Sequence, residues 1–174
     1  MSIAANLREV RERLARAAIA AGRDPAGVRL VAVSKTQGAA AVRQALAAGQ
    51  MIFGENYAQE AQDKVGQVGP GPCWHFIGHL QGNKARLAAE LFAMVQSVHS
   101  LKLARALDRR AGELGKRLEV LLQVNLGGEA QKSGCTAAEA PALAQALAAL
   151  PNLRLRGLMT MPPFFDDPER ARPI

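Results

Sequence analysis

Apolar residues recur every three to four positions over residues 3–21, at Leu7, Val10, Leu14, Ala17, Ala18 and Ala21, with Arg and Glu between them. That spacing predicts an amphipathic helix, which Gly22 and Pro25 end. From residue 28 the pattern changes period. VRLVAVSK (28–35) is a β-branched apolar run of strand length that finishes on a lysine. GAAAVRQALAAG (38–49) reads as a helix, MIFGEN (51–56) as a short strand and YAQEAQDKVGQV (57–68) as a helix, before the turn GPGP (69–72). The unit then repeats: strands at 73–80, 94–100, 117–127 and 153–161, with helices at 83–93 and 101–115. Thr136 and Glu139 form a capping box before the helix that Pro151 stops.

Strands alternating with helices predict βαβ units and a parallel sheet, hence an α/β fold. Near-continuous apolar runs such as VRLVAVS and VLLQV suit strands covered by helices. Two architectures fit. An open doubly wound parallel sheet accommodates six strands in 174 residues, whereas a (β/α)8 barrel needs eight strands and at least ~200 residues. Neither the G-x-G-x-x-G nor the P-loop fingerprint follows any strand.

Composition narrows the class. Half of the chain is hydrophobic (49%) and 21% is charged, which excludes a disordered polymer. Two cysteines, Cys73 and Cys135, exclude a disulfide scaffold. No apolar stretch reaches the ~18 residues of a membrane span, and Arg and Glu interrupt the N-terminal apolar residues as no secretory signal would. The expectation is one cytoplasmic domain over 1–174, without membrane contact. The net charge of +7 raises the alternative of a basic nucleic-acid-binding domain. However, no Lys/Arg block of five exists, and aromatics at 4% are too few to stack bases.

In parallel α/β folds the reactive groups gather at the carboxyl ends of strands. Here those ends carry Ser34-Lys35-Thr36, Glu55-Asn56-Tyr57, His79 to Lys84, Ser97 to Ser100, Asn125 and Thr160. Lys35 is the sharpest candidate. Set against an apolar wall, its amine would be biased toward the neutral form, and a neutral amine condenses with an aldehyde to an imine. The alternative is an ordinary lysine that reaches solvent or pairs with Glu55. His75 and His79 share one face of the predicted third strand, but lack further ligands at metal spacing. The Gly-rich segment NLGGEAQKSG (125–134) presents Lys132, either on a surface loop or on a basic loop able to meet a phosphate.

Taken together, VAVSKTQ (31–37), FGENYAQE (53–60), WHFIGHLQGNK (74–84), QSVHS (96–100), LLQVNLGGEAQKSG (121–134) and GLMTMPP (157–163) resemble the pyridoxal-phosphate homeostasis protein family. The resemblance implies a (β/α)8 barrel of the alanine racemase type, with about six of its eight βα units present. It implies pyridoxal 5'-phosphate (PLP) held as a Schiff base on Lys35, and Asn56 near the cofactor's phenolic oxygen. His75, His79, Gln81 and Lys84 would line the pocket, and Lys132 would make a second PLP contact or serve transfer. The role implied is non-catalytic: intracellular PLP buffering and delivery by a monomer or homodimer, with PLP-dependent apoenzymes as recipients. A PLP-dependent racemase is the enzymatic alternative, but it needs a second acid/base on the opposite face of the imine. The family's phosphate-binding strand ends lie beyond FFDDPERARPI. The expectation is therefore a C-terminally truncated form, against a natural short form completed by a partner or a self-contained open sheet.

Overall fold

The computed structural model describes residues 2–127 and 133–174. They form two compact units, Met1–Trp74 and His75–Ile174. In the first unit α1 (Ile3–Ala20) precedes β1 (Ala32–Val33), α2 (Ala39–Ala47), β2 (Ile52–Glu55) and α3 (Ala58–Val68), and β3 (Cys73–Phe76) begins. In the second follow α4 (Ala85–Leu91), β4 (Met94–Val98), α5 (Leu101–Glu113), β5 (Leu118–Gln123), α6 (Ala140–Ala148) and β6 (Leu153–Met159). The strands are parallel and hydrogen-bonded in chain order from β1 to β6.

The first unit is held by a small apolar core and by specific polar ties. Val42 and Ala45 of α2, Phe53 of β2, and Ala58 and Ala61 of α3 are buried. Phe53 and Trp74 pack with ring centroids 5.4 Å apart. The amphipathic helix expected at 3–21 is present, with Ser2 capping it through Oγ to the Ala5 N–H. Its apolar stripe is only partly covered: Ala18 is buried, while Val10 is 42% exposed. A polar contact makes up the difference, because Arg11 donates to the Ala48 carbonyl at 2.9 Å and to Gln50 Oε1 at 3.2 Å.

The eight-residue first strand expected at 28–35 is corrected to Ala32–Val33. The ladder is short because Ala32 and Val33 alone are paired, with Phe53 and Gly54, and the Ser34 N–H adds one bond to the Gly54 carbonyl. Upstream, the Leu30 carbonyl is satisfied by the Gln50 side chain instead of a neighbouring strand. Val33 is 51% exposed, so this run is not the fully covered strand its composition suggests.

In the second unit Val95 and Val98 of β4 and Leu118, Val120 and Leu122 of β5 are buried together with Leu103, Ala104, Leu107 and Ala111 of α5. The three-to-four spacing of those α5 residues is the apolar stripe of a sheet-covering helix. The third strand, expected to reach residue 80, stops at Phe76. The capping box forms as expected: the Thr136 N–H donates to Glu139 Oε2 at 2.9 Å and the Glu139 N–H to Thr136 Oγ1 at 3.3 Å.

Candidate functional site

Lys35 lies one residue beyond the last bonded position of β1, in the turn Ser34–Gln37 closed by the Gln37 N–H donating to the Ser34 carbonyl at 3.0 Å. Thr36, the third residue of that turn, has φ of 63°. A type II turn demands positive φ there and favours Gly; a β-branched residue in that region is strained by about 1–3 kcal/mol and persists only where its surroundings enforce it.

A charged cluster supplies that enforcement. Lys64 of α3 is 5% exposed, and its Nζ donates to three acceptors: the Ser34 carbonyl at 2.6 Å, Glu55 Oε1 at 2.7 Å and Glu60 Oε1 at 3.0 Å. An ammonium has three N–H donors, so Lys64 is fully satisfied. Glu55, wholly buried at the end of β2, also accepts from Ser34 Oγ at 2.7 Å. Its Oε2 has no hydrogen-bond partner among the described residues. Glu60 accepts in turn from the Thr36 N–H at 2.8 Å. Its carboxyl is held below the ordinary carboxylate range, first by the Lys64 hydrogen bond and then by the Thr36 N–H. The turn is therefore gripped on both sides of Lys35, at the Ser34 carbonyl and at the Thr36 amide.

Lys35 itself is exposed, as in the alternative of a lysine that reaches solvent, and is not set against an apolar wall as the sharper expectation had it. Glu55, its expected partner in the alternative reading, is engaged by Lys64 instead. Among the described residues the Lys35 amine has no ion-pair or hydrogen-bond partner. Asn56 follows β2 directly and is half-buried; Tyr57 beside it is 61% exposed.

The candidates of the second unit fall into two groups. His75 is buried in β3, where its Nδ1 meets Gln96 Nε2 at 2.8 Å, as in a satisfied core histidine. Because β3 ends at Phe76, His79 lies in the following loop, and the two histidines do not share a strand face as expected. His79 and Gln81 line a cavity of about 530 Å³ with Asn83, His99, Ser100 and Lys102. The His79 and His99 rings stack with centroids 5.0 Å apart, and His79 Nδ1 contacts Ser133 Oγ at 2.7 Å. Ser100 caps α5, so the cavity adjoins the first turn of that helix and Lys102, an environment that favours an anion. Lys84 is half-buried at the start of α4, outside the residues lining this cavity. Lys132 falls outside the described residues.

Sequence reasoning missed Lys64, gave Glu60 and Ser133 no role of their own, and placed His99 only among the polar residues at strand ends. The i,i+4 spacing of Glu60 and Lys64 on a predicted helix was the available signal; no local pattern announces the left-handed Thr36.

Fold and site together define an α/β protein of parallel βα units that presents an unpaired lysine beyond its first strand. Residues 2–173 match the family model of the alanine racemase N-terminal domain. The chain is 54% identical over 162 residues to the pyridoxal phosphate homeostasis protein of Pseudomonas aeruginosa, covering 92% of this chain and 70% of that one. It is 48% identical over 165 residues to the protein of the same name from Escherichia coli, with the same two coverages. Among solved structures, PipY of Synechococcus elongatus with PLP bound superposes with a TM-score of 0.83 at 40% identity, over 99% of this chain and 79% of that one. A Clostridium difficile alanine racemase, at 16% identity and a TM-score of 0.67 over 76% of this chain and 35% of that one, shares the fold alone. The chain belongs to the pyridoxal phosphate homeostasis protein family, within the alanine racemase N-terminal-domain fold.

Proposed function

We propose that this chain binds PLP through Lys35, as an imine, and takes part in intracellular PLP homeostasis as a non-catalytic carrier for PLP-dependent apoenzymes. The observation that carries the reading is the place of Lys35, one residue beyond β1 on a turn whose backbone Glu60 and Lys64 hold, with its amine without a partner among the described residues. Such an amine is accessible to an aldehyde, and no salt bridge must be broken before it reacts. The aldehyde carbon and the amine nitrogen join with loss of one water, and no oxidant or reductant is needed. When bound, PLP contributes an electrophilic aldehyde and an electron-withdrawing ring. Asn56 offers an amide beyond β2 for the ring's phenolic oxygen. His79 and Gln81 line a cavity of the size usual for small ligands.

The names of the curated relatives and the PLP-bound PipY structure support the same reading. A carrier needs one reactive amine; a racemase needs in addition an acid/base on the other face of the imine. The test is direct. PLP is added, imine absorbance is recorded, and the adduct is fixed with borohydride and mapped by mass spectrometry. We expect a single reduced pyridoxyl group on Lys35, absent from Lys35→Ala, and no interconversion of alanine enantiomers at saturating PLP. An adduct confined to another lysine would overturn the assignment.

A further inference from the structure

The cluster beneath the Lys35 turn sets one lysine, Lys64, between two carboxylates, Glu55 and Glu60. Besides the bonds among themselves, these side chains bond to Ser34 and Thr36, the two residues that flank Lys35. We propose that Glu60 and Lys64 are positioning residues for Lys35: they hold the Ser34–Lys35–Thr36 backbone in a strained left-handed turn that aims the amine for carbonyl condensation. The inference rests on the PLP reading of Lys35 and goes beyond it by assigning two residues of α3 to the same chemistry.

Three observations carry it. Thr36 adopts φ of 63°, which a threonine does not hold unaided. Its N–H is bonded to Glu60 Oε1 at 2.8 Å, and the preceding Ser34 carbonyl to Lys64 Nζ at 2.6 Å. Glu60 and Lys64 are in turn bonded to each other at 3.0 Å, one helical turn apart, so the two grips form one rigid bracket. Glu55 anchors the bracket to β2 through Lys64 at 2.7 Å. If the bracket is lost, Thr36 can relax to negative φ and the direction of the neighbouring Lys35 side chain changes with it. Misplacing a reacting group by about 1 Å can cost on the order of a hundredfold in reactivity.

The test compares the wild-type chain with Glu60→Ala, Glu60→Gln and Glu139→Ala. The last breaks the capping box before α6 and serves as a stability control away from Lys35. The borohydride-fixed adduct on Lys35 is quantified at one subsaturating PLP concentration, at a temperature where every variant is folded. Glu60→Ala should lower adduct formation by about tenfold, the equivalent of one charge-assisted hydrogen bond. Glu60→Gln, which keeps an oxygen to accept the Thr36 N–H, should restore most of it, and Glu139→Ala should leave it unchanged. Repeating Glu60→Ala on a Thr36→Gly background should shrink the loss, because glycine adopts positive φ without enforcement.

Equal adduct yields for wild type and Glu60→Ala overturn the inference, as does an equal loss on the Thr and Gly backgrounds. A wild-type chain with no adduct on Lys35 overturns instead the reading on which the inference rests. The bracket is also read without PLP by amide hydrogen exchange. The Thr36 amide should exchange faster in Glu60→Ala than in wild type, and unchanged exchange would show that Glu60 does not hold the turn.

Discussion

Lys64 brings a positive charge to a position only 5% exposed, and Glu55 brings a negative one to a position with no exposure at all. Each would be prohibitively expensive alone, and each is tolerable because the other is 2.7 Å away and the remaining donors of the ammonium are filled. Removing one partner should therefore cost far more than removing both. Lys64→Met is expected to destabilise the chain by about 3–5 kcal/mol, measured by urea unfolding. Glu55→Gln with Lys64→Met should cost less than the sum of the single changes, with the coupling read from the double-mutant cycle. Glu60 adds a pH dependence of known sign. Its folded-state pKa is depressed by the Lys64 and Thr36 hydrogen bonds, so its contribution is complete above the unfolded carboxylate value of about 4.3. That contribution is lost as pH falls through the lower folded value. Stability curves below pH 4.3 should accordingly be less steep in Glu60→Gln than in wild type.

At the scale of elements, the segment between β5 and α6 shows what was legible in the sequence and what was not. Thr136 and Glu139 identified themselves by type and spacing, and both bonds of the box form. Gly134 did not. It has φ of 143°, and a Cβ there would lie 2.6 Å from the Asn125 backbone nitrogen, so only glycine fits beside β5. Around it the Cys135 N–H donates to the Gln123 carbonyl, the Asn125 N–H to the Cys135 carbonyl, and Gln123 Nε2 to the Ser133 carbonyl. That stitching places Ser133 Oγ against His79. Gly134→Ala should cost about 1–3 kcal/mol in thermal or urea unfolding, and should loosen the His79–Ser133 contact, seen as a shift of the His79 imidazole NMR signals. Elements and their order were readable because hydrophobic period alone separates 3.6 from 2. The length of β1 was not, because it depends on which residues a neighbour pairs, and the Gln50 amide outcompetes a ladder at Leu30. Lys35 was legible as a candidate from its place after a strand. The bracket beneath it was not, because it is assembled from Ser34, Glu55, Glu60 and Lys64 across three elements.

For the whole molecule, the excess of 22 basic over 15 acidic residues poses a choice between general anion attraction and a specific site. Several arginines are engaged locally, Arg86 with Glu90, Arg110 with Glu113, Arg156 with Glu119 and Arg172 with Glu169, which spreads rather than focuses the field. Both possibilities predict that PLP, an anion, raises the melting temperature. They differ in what removes the effect. A ligand at one hundred times its dissociation constant stabilises by about 2.7 kcal/mol. For a chain of this size that corresponds to a rise of roughly 5–10 °C. If attraction is general, the rise should survive Lys35→Ala, fade as salt screens surface charge, and appear equally with inorganic phosphate or duplex DNA. If Lys35 carries the binding, the rise should vanish in Lys35→Ala, persist at 0.5 M salt and be absent with DNA. We expect the second pattern, because the proposed imine site is a single residue on a turn that three other side chains hold in place.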